Sequence, residues 1–206
     1  MKDKLYSVVF TFLLSTFFVL VLAAINALAS SRIEINEKLD FQRSVLYVFG
    51  FVEIEDNLSS EEIQSLYAEK ITELTGEITV YVATVKGEKN YAFTVQSPGL
   101  WGTITGLVAV SSDASRIVGI DFVSHSETPG LGGRIDEKSF KEQFRDERIS
   151  QDRNLRIAVV SGIDTSSNDD SRVDAITGAT RTSEAVGKLI NKAINEIFPT
   201  VLKVVN

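Results

Sequence analysis

Cysteine is absent from these 206 residues, so no disulfide, cysteine-ligated iron–sulfur cluster or thiolate zinc site can be built from them. Histidine occurs once, at His125, which argues against a haem or a histidine-rich metal centre. If the chain handles electrons, it must do so with an organic cofactor. Positive charge is also scarce: beyond position 30 there are 27 acidic against 19 basic residues, a net charge of −8. A domain so acidic and without a basic patch is not expected to bind nucleic acid. Internal repeats and a second domain boundary are missing too.

What the sequence does have is a long apolar run at its start. Leu5 to Ala29 holds no charged residue. As a helix it would extend roughly 37 Å at ~1.5 Å per residue, enough for a hydrocarbon core of ~30 Å. Lys2 and Lys4 precede the run and Arg32 follows it, so the positive-inside rule puts the N-terminus in the cytoplasm and the rest outside. Ala27-Leu28-Ala29 would suit a signal-peptidase site, but the apolar run from Val8 to Ile25 exceeds the usual signal-peptide core. A retained anchor is the expectation. The division is then 1–31 for the cytoplasmic N-terminus and membrane helix, and 32–206 for an extracytoplasmic domain. At 44% hydrophobic residues there is ample material for a core.

Ile33 to Phe51 reads as a juxtamembrane helix ending near Gly50. Ser59-Ser60-Glu61-Glu62 has the form of a capping box, starting a helix with Ile63, Leu66, Tyr67 and Ile71 inward. The period then changes to two. Ile78–Val85 and Tyr91–Val95 form a hairpin about Lys86-Gly87, and Thr103–Val110 and Ile117–Val123 are further strands. Ser139–Phe144 is a short helix, Leu155–Val160 a central strand, and Asp164–Ser171 a polar loop. Ser183–Phe198 carries Ala185, Val186, Leu189, Ile190, Ala193, Ile194 and Ile197 on one helical face. The fold class is α+β, with a mainly antiparallel sheet and flanking helices.

Two stretches stand out chemically. Asp174-Ala175-Ile176-Thr177-Gly178-Ala179-Thr180 feeds the N-terminus of the last helix, where unpaired N–H groups favour an anion such as a phosphate. On spacing alone, Thr180 or Thr182 as a simple helix cap explains it equally well. Glu127-Thr128-Pro129-Gly130-Leu131-Gly132-Gly133 places Pro129-Gly130 at the centre of a type II turn, with Gly130 at positive φ. Its other glycines would let backbone approach a ligand. A connector without a ligand is the plain alternative. His125 reads as a strand-end histidine, and Trp101 as a core or interface anchor or a surface for a flavin ring.

The first stretch resembles the Asp-x-x-Ser/Thr-Gly-Ala-Thr motif at which FMN is joined through its phosphate to a threonine. The second is similar to the Glu-Thr-Pro-Gly-Leu-Gly signature of the same proteins. These are the C subunit of the sodium-translocating NADH:quinone reductase and the G subunit of the Rnf ferredoxin:NAD complex, and the similarity covers nearly all of the chain. It implies a redox subunit, not catalytic alone, carrying covalent FMN on Thr180 in a bacterial cytoplasmic membrane complex. Asp174, Thr177, Gly178 and Ala179 would shape the acceptor turn. Glu127, Thr128, Leu131, Gly132 and Trp101 would lie beside the flavin, and no metal site is implied. The partners implied are neighbouring membrane subunits and a separate flavin transferase. A non-redox FMN-binding or sensor module and a purely structural subunit are the alternatives. Trp101 and the glycine-rich signature lean toward the quinone-reductase subunit.

Overall fold

The computed structural model describes residues 2–152, 154–162 and 168–205. Asp164 to Ser167 of the expected polar loop lie outside the described residues. Two compact units divide the chain, Met1–Asp40 and Phe41–Asn206. The first is helical, being part of helix α1 (Lys2–Val48). Its Lys4–Ser30 stretch is long and apolar enough to cross a membrane, and none of its best window is buried within the protein.

In the second unit, α1 stops where Gly50 takes φ +74°, and Gly50 and Phe51 donate N–H groups back to Tyr47 O and Leu46 O. Glycine at this position pays no Cβ penalty for the left-handed turn that ends the helix. Helix α2 (Ser60–Lys70) opens on the expected capping box: Ser59 Oγ accepts the Glu62 N–H while the Glu62 carboxylate accepts the Ser59 N–H. Ile63 and Tyr67 are buried.

Five strands follow as an antiparallel meander: β1 (Thr72–Thr75), β2 (Thr79–Val85), β3 (Glu88–Pro98), β4 (Thr103–Ser111) and β5 (Ile117–Ser124). The alternation of β3 divides its side chains between two layers. Tyr91, Phe93 and Val95 join one core, whereas Ala92 faces the other, formed by Val45–Phe49, Ile63 and Tyr67. The sheet is therefore covered on both faces, and each large side chain buried there contributes about 1.5–3 kcal/mol. Strand β1 was not foreseen. Thr-Glu-Leu-Thr is polar, and its only strand partner is β2 at the sheet's edge. After a 3₁₀ turn (Gly132–Asp136), the short α3 (Lys138–Lys141), continued by 3₁₀ residues Glu142–Phe144, occupies the place of the helix expected at Ser139–Phe144.

The run Leu155–Val160 is not a central strand. Only Ala158–Val160 (β6) is extended, and it pairs in parallel with Arg172–Asp174 (β7), outside the main sheet. The side chains before it explain this. Arg156 N–H is taken by Asn191 Oδ1 at 2.6 Å and its guanidinium by Asn195 Oδ1 and Ser150 O. Asn191 also donates to Ile157 O at 2.9 Å, so one helix side chain takes a backbone N–H and a carbonyl that a longer strand would pair. The last helix begins earlier than expected, as α4 (Thr180–Lys192), passes through a π turn (Ala193–Ile197) and continues as α5 (Phe198–Val205). Pro199 offers no N–H to the preceding turn, and the helix widens just before it. Leu189 of α4 seats against Gly106 of β4, where a Cβ would lie 3.0 Å from Leu189 Cδ2, so the helix packs close to the sheet.

Candidate functional site

Strands β6 and β7 run parallel, so their C-terminal ends open on the same side, and the chain leaving β7 turns there into α4. That crevice is the usual place for a ligand beside parallel strands. Ser161 and Gly162 after β6, and Asp174 to Gly178 with Thr180 after β7, line a cavity of about 380 Å³.

The acceptor-type turn is built by hydrogen bonds. Ala179 N–H closes onto Ile176 O at 3.0 Å, with Gly178 at φ +81° between them. Ser183, one turn into α4 and 1% exposed, accepts the Ile176 N–H at 2.9 Å and donates its hydroxyl to Ala179 O at 3.0 Å. Asp174, half-buried, is held from its backbone, its N–H donating to Gln143 Oε1 at 2.7 Å. Ile176 and Ala179 are buried and pull the turn inward, leaving Thr177, Gly178 and Thr180 exposed.

Neither threonine caps the helix. The N-cap is Ala179, with no side-chain cap bond. Thr180 is the first helical residue, and among the described residues its hydroxyl has no hydrogen-bond partner. Thr182 is 1% exposed, and its hydroxyl donates to Glu127 Oε2 at 2.6 Å.

Glu127 ties the second stretch to the first. It is 5% exposed, and its other oxygen accepts the Leu100 N–H at 2.8 Å and the Trp101 N–H at 3.2 Å. Burial pushes its carboxyl up. The bonds from the Thr182 hydroxyl and the Trp101 and Leu100 amides, with the His125 ring nearby, outweigh that and hold it below the usual carboxylate range. His125 Nδ1 accepts the Glu127 N–H at 3.1 Å, so Nε2 carries the ring proton and donates it to Asp136 at 2.8 Å. This buttressing role fits the strand-end reading of His125.

Thr128 O accepts the N–H groups of Leu131 and Gly133, and Gly130 has φ +74°, as the type II turn requires. Gly132 stands against the Thr182–Glu127 pair. A Cβ there would lie 2.5 Å from Thr182 Oγ1 and 2.8 Å from Glu127 Oε2, so its missing side chain makes room for that bond. Leu131, 47% exposed, reaches over the acceptor turn, its Cδ2 being 3.5 Å from where a Gly178 Cβ would stand. Leu100 and Trp101 are exposed as well, at 46% and 69%. The fold thus gathers Glu127, Leu131 and Gly132 around the first turn of α4, with Trp101 joined to them through the carboxylate. Thr128 and Asp174 sit at the outer ends of the two turns. Thr182 and Ser183, which fix both turns, were not foreseen in these roles. Their partners are 55 and 7 residues away in sequence, and no local pattern signals them.

Comparison with known proteins identifies a domain over this region. Residues 99–195, which include every residue of the site, match the model of the FMN-binding domain. The G subunit of the proton-translocating ferredoxin:NAD(+) oxidoreductase complex of Clostridium ljungdahlii is 36% identical over 132 residues, 63% of this chain and 65% of that protein. The C subunit of the Na(+)-translocating NADH-quinone reductase of Pseudomonas aeruginosa is 32% identical over 117 residues, 55% of this chain and 45% of that protein. The chain thus spans about half to two thirds of the length of these relatives. The crystal structure of the corresponding C subunit from Parabacteroides distasonis superposes with a TM-score of 0.65 at 28% identity, covering 82% of this chain and 94% of that one. Residues 99–195 thus match the FMN-binding domain family, in an α+β chain similar to the G and C subunits of ion-translocating oxidoreductases.

Proposed function

We propose that this chain is a membrane-anchored electron-carrier subunit of an ion-translocating oxidoreductase, holding FMN as a phosphoester on Thr180. The observation that carries the reading is the Thr180 hydroxyl, exposed and uncommitted at the first residue of α4, on the rim of the β6–β7 cavity. The surroundings fit the group. The first N–H groups of a helix have no partner within it, and they and the helix dipole stabilise a phosphate on Thr180 Oγ. Gly178, at φ +81°, lets the chain turn tightly just before that oxygen. Leu131 and the Leu100–Trp101 turn offer exposed apolar surface of the kind a flavin ring needs.

When bound, the flavin supplies the electron transfer that no side chain here can perform. The chain's own contribution is to tether and orient it. Thr180 Oγ would hold the flavin through its phosphorus, displacing AMP from FAD as the pyrophosphate bond breaks, with the hydroxyl proton taken by a base on a separate transferase. Ala179 holds the turn through its N–H on Ile176 O, and Thr177 and Asp174 line the cavity where the transferase engages. Lys4–Ser30 serves as the single anchor in a bacterial cytoplasmic membrane, with the FMN domain outside, where a dissociated flavin would be lost. Neighbouring membrane subunits then deliver and remove the electrons. The test is a denaturing gel of the protein co-produced with a flavin transferase. A yellow, fluorescent band supports the carrier, and a colourless one under conditions that label a known acceptor rejects it.

A further inference from the structure

The Glu127 carboxylate is buried and still has three donors on it: the Thr182 hydroxyl on one oxygen and the Leu100 and Trp101 amides on the other. Those donors come from different places in the fold, the first turn of α4 and the turn between β3 and β4. Two glycines stand against the same group. A Cβ at Gly99 would lie 2.5 Å from Glu127 Oε1, and one at Gly132 would lie 2.8 Å from Oε2. Both approaches are closer than any side chain allows, so the backbone on either side is built around this carboxylate. We propose that Glu127 is a positioning residue whose carboxylate ties the acceptor turn at Thr180 to the apolar turn at Leu100–Trp101, setting the two in one register.

The chemistry favours a carboxylate over its neutral analogue. All three partners donate, and an ionised carboxyl accepts on both oxygens. Glutamine has the same shape but offers one accepting oxygen and one donating NH₂ group. In Glu127→Gln, an NH₂ turned toward Leu100 and Trp101 would face two donors, but one turned toward Thr182 can donate to its hydroxyl oxygen and keep the tie, whereas Glu127→Met removes both acceptors and releases Thr182. Thr182 is two residues from Thr180 on the same first turn of helix, so its release shifts the residue that carries the reacting oxygen. The consequence for flavin attachment rests on the covalent-FMN reading, whereas the tie itself does not.

Trp101 is the only tryptophan in the chain and bonds the carboxylate through its own amide, so its emission reports on the tie without any flavin. The experiment uses the full chain in detergent, free of flavin, with Thr182→Val, Thr182→Ser and Glu127→Met. Thr182→Val and Glu127→Met are expected to lower Trp101 anisotropy and increase its acrylamide quenching at temperatures well below the melt. Thr182→Ser, which keeps the hydroxyl, retains the wild-type values of both. With FAD and a flavin transferase, Thr182→Val and Glu127→Met are expected to label at least tenfold more slowly through kcat, and the serine variant at close to the wild-type rate. If one of the two does not fold, the other decides. Unchanged Trp101 emission in the folded variants overturns the tie. A changed emission with wild-type labelling rates overturns the positioning role. Wild-type protein that takes no label on Thr180 removes the covalent reading, and the Trp101 measurements still decide the tie.

Discussion

A hydroxyl that neither caps nor packs is available for chemistry, and Thr180 is of that kind. Thr180→Ala is expected to abolish flavin that survives denaturation while changing stability by no more than about 0.5 kcal/mol, as for other surface positions. Thr180→Ser keeps a nucleophilic oxygen and retains part of the labelling, which in-gel fluorescence measures. If the alanine variant keeps its band, Thr182 is the next residue to test, although its hydroxyl is buried against Glu127. Glu127 also makes stability depend on acidity. Its folded carboxyl titrates below its ordinary value of 4.5, so its stabilisation is present above that pH and fades as the pH falls through the folded value. The melting temperature of the wild type is therefore expected to drop more steeply below pH 4.5 than that of Glu127→Gln, as scanning calorimetry would show. At this scale the sequence announced residues that sit in contiguous strings, Asp174–Thr180 and Glu127–Gly132. It did not announce Thr182 and Ser183, because a hydroxyl on a buried helical face looks the same whether it bonds a distant carboxylate or its own backbone.

Elements were readable where a local rule specified them. The capping box at Ser59–Glu62, the hairpin about Lys86-Gly87 and the turn at Pro129-Gly130 are each determined by a few neighbouring residues. The failures came where partners outside the segment decided. Leu155–Val160 has a strand's composition, but Asn191 and Asn195 of the terminal helix take the hydrogen bonds of Arg156. Strand β1 has little apolar content of its own and forms because β2 offers a free edge. Two glycines separate conformation from contact. Gly130 has φ +74° with open space around its Cα. Gly130→Ala is expected to cost roughly 1–2 kcal/mol of backbone strain, lowering the melt by about 2–4 °C per kcal/mol, with attachment intact. Gly132→Val places a side chain on the Thr182–Glu127 bond and is expected to slow attachment as well as lower the melt. Thermal melting and labelling rate, measured on the same two samples, separate the cases.

For the molecule as a whole, the sequence yielded the class and the order of parts: an apolar N-terminal helix, an antiparallel sheet and flanking helices. It did not show that the sheet is covered on both faces, since that depends on which helix meets which side. Topology is open to direct measurement. A reporter active only outside the cytoplasm, fused after Asn206, is expected to give signal, since the positive-inside rule would keep Lys2 and Lys4 in the cytoplasm. A silent reporter would reject both the orientation and the reason given for covalent attachment. The small ring of bonds among Ile176, Ala179 and Ser183 bears on biogenesis. Its keystone is a side chain buried by the packing of α4, so the turn acquires its shape only after that helix has docked. On the covalent reading the transferase then recognises a finished surface rather than a stretch of polypeptide. A free peptide spanning residues 170–184 should be a poor acceptor, and modification should come after secretion and folding, as the closing act of assembly.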